Sequence, residues 1–282
     1  TILNDIVTKS GINEMAYQQE PDSILWCVRD DGILAGLTYQ RSENVIAWHR
    51  HKLGGTFGTG ASATGYGVVE SVASISGELT EDELYVIVKR TINGATKRYV
   101  EVFAPFDFDE TTSTDFRFLD SHLTYSGGST TTLSGLSHLE GQVVSILADG
   151  ATHADKTVSS GSITLDRSVT SAVVGLKYDS VLQTMRVEGG AAQGTSQGKI
   201  KRISKVVLRL FETVGAKVGP TLTDLETVPF RTTSSPMGQP VSTLIAGDKQ
   251  VEFRDDFNSD GFIFVKQDQP LPLTVLAIYP TL

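Results

Sequence analysis

Two histidines, His49 and His51, flank Arg50 in a run that reads as a β-strand, so both imidazoles project to one face and offer two nitrogen donors of the kind that binds zinc. Such a site needs three or four convergent ligands held by oriented outer partners, and only His122, His138 and His153 remain to supply more imidazoles. A structural role is therefore preferred, and no metal or other cofactor is expected. Gly194-Thr195-Ser196-Gln197-Gly198 matches the G-x-S-x-G pattern of a hydrolase nucleophile. That pattern works on a sharp strand-to-helix turn of an α/β sheet, whereas glycine-rich loop and strand surround Ser196, so a hairpin connection is the better reading. Asp256, Asn258 and Asp260, followed by Gly261, are spaced like the first half of a calcium loop. Position twelve is Gln267 in place of the bidentate Glu, which leaves a plain turn with at most weak cation binding. Gly58-Thr59-Gly60-Ala61-Ser62-Ala63 loosely resembles a dinucleotide-binding turn but lacks a βαβ unit around it. The acid pairs Asp107/Asp109 and Asp255/Asp256 suit an acidic surface and imply no pocket that would raise a carboxyl pKa. No residue is assigned a catalytic role.

The elements that would position these residues read as strands. From residue 23 to 104, short runs rich in Val, Ile, Tyr and Trp alternate with turn residues, the pattern of consecutive antiparallel strands. Strands at 23–29, 33–40 and 45–51 form one meander, turned at Asp30-Asp31-Gly32 and at 41–44. A glycine-rich connection, 54–67, leads to strands at 68–76, 84–92 and 97–104, the last two joined by Asn93-Gly94, a strong hairpin signal. Two such meanders resemble blades of a β-propeller, and two blades do not close a ring. Residues 105–115 read as a linker. A Ser/Thr/Gly-rich stretch follows, with strands expected at 116–125, 142–147, 162–165 and 172–177, as in a small inserted β-barrel or sandwich. In the last third, 200–213 fits both a strand and a helix, with adjacent valines favouring the strand. Further strands are expected at 181–188, 249–254, 261–265 and 273–279. Residues 8–18 are the best helix candidate. The fold class is thus all-β, divided as 1–115, 116–179 and 180–282.

Composition narrows the partners. The chain of 282 residues carries 33 acids against 24 bases, a net charge of −9, which disfavours tight binding to a polyanion. Its one basic cluster, Lys199, Lys201, Arg202 and Lys205, reads as a solvated strand face. No stretch of 18 or more apolar residues exists to span a bilayer, and no signal-peptide pattern follows Thr1. Cys27 is the only cysteine, so no internal disulfide forms, and its setting between Trp26 and Val28 suits a small buried hydrophobe.

Specific strings add a resemblance. The run from Glu14 to Ser23, then Leu25-Trp26-Cys27-Val28, Leu37-Thr38-Tyr39 and the 45–51 strand are similar to the tail tubular protein B, or nozzle, family of short-tailed bacteriophages. The similarity continues through 69–72, 81–85, 90–94 and 98–101, then Leu119-Asp120-Ser121, 136–149, 194–201, 267–272 and Leu276-Ala277-Ile278, nearly the whole chain. Members of that family are longer at the N-terminus, which with the missing Met implies that this is the C-terminal part of a larger protein. The resemblance implies a hexameric hub in the virion tail, stacked below an adaptor ring, docking fibres or a needle and passing DNA without specific binding. An acidic channel wall would repel DNA rather than retard it. Two alternatives stand beside this reading: a glycan-binding adhesin or receptor-binding β module of a phage or bacterium, using Trp26 and Trp48, and a β-type glycoside hydrolase using paired carboxylates.

Overall fold

In the computed structural model, residues 7, 9–77, 81–104, 116–189, 194–231 and 244–282 are described. The linker at 105–115, with Asp107 and Asp109, lies outside them. Strands β1 (Ile12–Gln18), β2 (Ile24–Arg29), β3 (Leu34–Gln40) and β4 (Val45–His51) form an antiparallel meander in chain order. Gly32 and Asn44 take positive φ at its last two turns, where a left-handed residue lets each strand reverse. The helix expected over 8–18 is instead β1, with Thr8 outside the described residues. Its side chains alternate, Met15 and Tyr17 outward and Glu14, Ala16 and Gln18 inward, and pairing with β2 (Met15↔Cys27, Tyr17↔Leu25) gives its backbone a partner that local helix propensity does not outweigh.

The second meander is β5 (Val68–Ser76), β6 (Asp82–Ile92) and β7 (Ala95–Val102). Asn93 (φ 49°) and Gly94 (φ 72°) both turn left-handed, as the two-residue hairpin requires. The two meanders pack face to face. Trp26, Val28 and Leu34 from the first meet Val69, Val72, Leu84, Val86 and Val88 from the second in one buried cluster. Each such side chain stabilises the contact by about 1.5–3 kcal/mol when fully buried.

The third sheet comprises β8 (Asp120–Ser134), β9 (Val143–Ala148), β10 (Ala151–Thr157) and β11 (Ser162–Leu176), in the order β10-β9-β11-β8. The two short strands expected at 162–165 and 172–177 are one 15-residue strand. Register shifts against β8 at Thr164/Val169, Val169/Ser171 and Val174/Leu176 let this long ribbon bend over a single core of residues such as Leu133, Ile146, Ile163 and Val174. The sheet stays open, and no barrel closes among the described residues.

The C-terminal third is a sandwich. One sheet orders β12 (Ser180–Gln183), β17 (Phe264–Gln267), β14 (Lys217–Thr221) and β15 (Asp224–Thr227); the other orders β16 (Ile245–Glu252), β13 (Lys205–Thr213) and β18 (Thr274–Thr281). Within the ambiguous run 200–213 the strand is Lys205–Thr213, where Val206, Leu208 and Leu210 alternate into the core at period two. The same cluster takes in Phe116, Leu119, Leu147 and Val173. On β9, Ile146 therefore points into the third sheet's own core while its neighbour Leu147 points into the C-terminal one. Buried on both faces, β9 fastens the third sheet to the sandwich.

Candidate functional site

The two histidines nominated for chemistry do come together. In the space between the first two sheets, His49 Nδ1 lies 2.7 Å from His51 Nε2, and Thr38 Oγ1 lies 3.1 Å from His49 Nε2. Gly36 opposes His49 across the β3/β4 pairing, and a Cβ there would sit 2.2 Å from the His49 ring, so only glycine leaves room for this imidazole. Trp26 packs on both rings at centroid distances of 5.6 and 5.2 Å, and Phe103 approaches His51 from the end of the second meander. Burial lowers the pKa of His49, and burial together with the charge of His49 lowers that of His51 to about 4. The pair is therefore neutral near pH 7, with one N–H between the two facing nitrogens, since a further proton would leave an imidazolium desolvated between the sheets. No group of three or more His, Cys, Asp or Glu suited to a metal occurs among the described residues. His122, His138 and His153 each engage a backbone carbonyl, of Leu119, Ser121 and Ala154 respectively.

The other nominated residues serve turns. Ser196 Oγ accepts the Gly189 amide at 2.8 Å, while Glu188 accepts the Ser196 amide and the Thr195 hydroxyl, both at 2.7 Å. Its partners include no histidine. Asn258 Oδ1 accepts the amides of Asp260 and Gly261 at 2.8 Å, and its Nδ2 donates to Asp255 and to the Asp256 carbonyl. Asp260 is ion-paired to Arg186 at 2.8 Å, and Asp256 is exposed. Asp256, Asn258 and Asp260 therefore share a turn in which the amide side chain is fully engaged and one carboxylate already has a cation. The segment 58–63 holds a 3-10 turn, Gly60–Ser62, in the connection between the two meanders.

The basic cluster divides. Lys201 is buried and donates to the carbonyls of Val187 and Ser196, whereas Arg202 and Lys205 line an open cleft of about 420 Å³ with Gln250, Glu252, Arg254 and Asp255. Cations and carboxylates alternate there, so the cleft presents no single-sign surface to a polyanion. Cys27 is fully buried, and burial raises its thiol pKa. Trp26, nominated for sugar stacking, is 5% exposed and donates its indole N–H to Gln18.

Sequence reasoning passed over the most heavily buried polar constellation. Arg90 is 0% exposed, forms a two-point pair with Glu101 at 2.5 and 3.0 Å, and donates from Nε to the Gly54 carbonyl at 2.7 Å. The amide of the same Gly54 donates to Asp120 Oδ2 at 2.6 Å. One residue, Gly54, thus joins the second sheet, through Arg90, to the third, through Asp120. Gly54 is wedged so closely that an added Cβ would lie 2.8 Å from the Lys177 carbonyl. Burial raises the pKa of Asp120 to about 6, against the opposing pull of the Gly54 amide and the Arg90 charge. Tyr99 to the His138 carbonyl (3.1 Å) and Gln142 to the Thr91 carbonyl (3.2 Å) complete this junction. The available signal was parity: Leu84, Val86, Val88, Arg90 and Ile92 all occupy inward positions of β6, and an arginine in that row requires a buried partner.

These features describe an all-β chain whose chemically versatile side chains hold sheets and turns together. No protein-family model matches the chain, and no curated protein matches it.

Proposed function

We propose that the chain is a structural subunit of a short-tailed bacteriophage tail, part of a ring-forming nozzle or hub that surrounds the DNA exit channel and docks the adaptor and the fibres or needle. The observation that carries this reading is the placement of apolar side chains on outward sheet surfaces: Val100 is 71% exposed, Ile46 65%, Met15 60% and Leu276 60%. Exposed apolar groups on sheet surfaces of this kind are what a virion subunit covers with its neighbours. The string similarity across the chain supports the same reading, as does an acidic surface that does not retain DNA.

The test is location. Gold-labelled antibodies raised against the purified chain are expected to decorate the tip of the short tail of the parent virion in electron micrographs. Labelling of the capsid shell, or none on intact and disrupted virions alike, would overturn the proposal.

A further inference from the structure

Successive residues of β2 and β3 face opposite sides of the first sheet. Trp26, Val28 and Leu34 point inward to the second sheet, whereas Cys27 and Ala35 point outward and form a separate buried cluster with Val7, against which Leu25 and Trp48 pack. Val7 is 4% exposed, and Cys27 and Ala35 are 0%. The chain just before β1 therefore crosses the outward face and covers Cys27. Arg29, buried beside this cluster, donates from Nη1 to the Val7 carbonyl at 2.5 Å. The same guanidinium is fixed by Asp31, through Nε at 3.1 Å and Nη2 at 2.6 Å, and Asp31 Oδ1 in turn accepts the Ile33 amide. On its other side the covering segment is attached at Gly11, φ 95°, whose carbonyl accepts the Asp30 amide at 3.2 Å. Between these attachments lies Ser10, whose Oγ is the one buried side-chain oxygen or nitrogen without a hydrogen-bond partner among the described residues.

We infer that Val7 and Ser10 belong to a strap, hinged at Gly11, that lifts from the first sheet while the sheet stays folded and so uncovers Cys27. Three features separate this opening from unfolding of the core. The seat of Val7 shares no residue with the cluster between the sheets, so Trp26, Val28 and Leu34 stay packed when Val7 leaves. Arg29 keeps its carboxylate when the Val7 carbonyl departs, so no buried cation is orphaned and the socket stays formed to receive the strap again. The Ser10 hydroxyl, unpaired while the strap is down, gains water when it lifts, which favours the open state. Among the described residues, closure rests on one apolar side chain and one hydrogen bond from a charged donor, a small cooperative unit of the kind that opens well below global unfolding. Gly11 suits the hinge, because its left-handed backbone favours glycine and an added Cβ would lie 2.5 Å from Asp30 Oδ2. The outward face of the first sheet thus has two states, covered and open, and only the open one presents the Cys27 thiol and the Arg29 guanidinium to solvent. The inference goes beyond the tail reading and does not depend on it.

Cys27 is the only cysteine, so its reaction with an excess of an aromatic disulfide that releases a coloured thiolate reads strap opening directly. In native buffer the unmodified chain should be labelled faster than global unfolding allows, more slowly than free cysteine, and at a rate insensitive to low urea. Val7→Ala removes two buried carbons from the strap and should speed labelling about 10-fold. Ser10→Ala removes the unpaired hydroxyl and should slow it about 5-fold or more. Val86→Ala leaves a cavity in the cluster on the opposite face, so it should lower the melting temperature and leave the labelling rate unchanged. Circular dichroism checks that each variant is folded. Labelling that Val86→Ala accelerates as much as Val7→Ala does would mean that Cys27 is reached only through global unfolding and would overturn the inference. Labelling of the unmodified chain as fast as free cysteine, with nothing holding the strap down, would overturn it as well, and so would a Ser10→Ala chain labelled no more slowly than the unmodified one.

Discussion

Acidification should loosen the contact between the first two sheets through one identifiable group. His51 has a pKa of about 4 in the folded chain against an ordinary 6.5, and it lies against Trp26, Phe103 and His49. The unfolded chain therefore takes up this proton near pH 6.5, while the folded chain resists it down to about pH 4. The stability that depends on the neutral ring is complete above pH 6.5, declines as pH falls through that window and is flat below it. A shift of this size corresponds to about 3 kcal/mol at 1.36 kcal/mol per pKa unit, and His49 acts in the same direction. The assay is urea denaturation between pH 7.5 and 4, followed by the fluorescence of Trp26 in a Trp48→Phe background. His51→Phe keeps a ring beside Trp26 and removes the base. The difference between wild type and variant cancels carboxylates that titrate over the same range, and it should shrink by about 3 kcal/mol between pH 7.5 and 4 in the direction of the wild type's loss. Identical pH slopes for the two proteins would refute the neutral buried pair.

Asp120 should act with the opposite sign. Its folded pKa, about 6, lies above the ordinary 3.8, so the stability it contributes is present below pH 3.8 and is lost as pH rises through 6. Asp120→Asn should remove that dependence, which amounts to up to about 3 kcal/mol, and equal or exceed wild type in calorimetric melting above pH 7. Arg90→Met removes the partner of a two-point carboxylate pair and of the Gly54 carbonyl and should cost about 3–5 kcal/mol, with Glu101→Gln in the same chain restoring part of it in a double-mutant cycle. Gly36→Ala drives a methyl group into the His49 ring and should cost about 1–3 kcal/mol while abolishing the pH signature of the pair.

The meanders were readable because their turns are chemically explicit. Asp31 and Gly32, and Asn93 with Gly94, fix where the chain reverses, and the flanking Val, Ile and Leu alternate at period two, so the strand expected at 84–92 lies within β6 at Asp82–Ile92. Strands β10, β14 and β15 were not anticipated. Ala151–Thr157 has no apolar alternation, because it is an edge strand that exposes most of its side chains, and Lys217–Thr221 contains Gly219 and Pro220, which read as loop. Their strand character comes from pairing: β10 with β9 across the Asp149-Gly150 turn, a local hairpin signal that the weak alternation of 151–157 hides, β15 with β14, and β14 with the distant β17, a tertiary cause that no local window contains. Among the sites, the shared face of His49 and His51 followed from strand parity alone, whereas the Arg90, Gly54 and Asp120 junction joins residues up to 66 positions apart and became visible only in three dimensions.

That junction bears on how the sheets hold together. The β1–β7 sandwich is tied to the rest of the chain through buried groups. Arg90 and Asp120 hold the carbonyl and the amide of Gly54, and the third sheet then buries Leu147 and Val173 in the C-terminal core. Each link is costly to break: the first leaves a buried charge or amide without its partner, and the second exposes apolar surface. Arg90→Met should therefore loosen the second sheet against the third and not act on β6 alone. Amide hydrogen exchange under conditions where circular dichroism remains native tests this step, with faster exchange expected in both β6 and the start of β8. Faster exchange confined to β6 would mean that Asp120 holds Gly54 without help from Arg90 and that the two sheets are not joined through this residue.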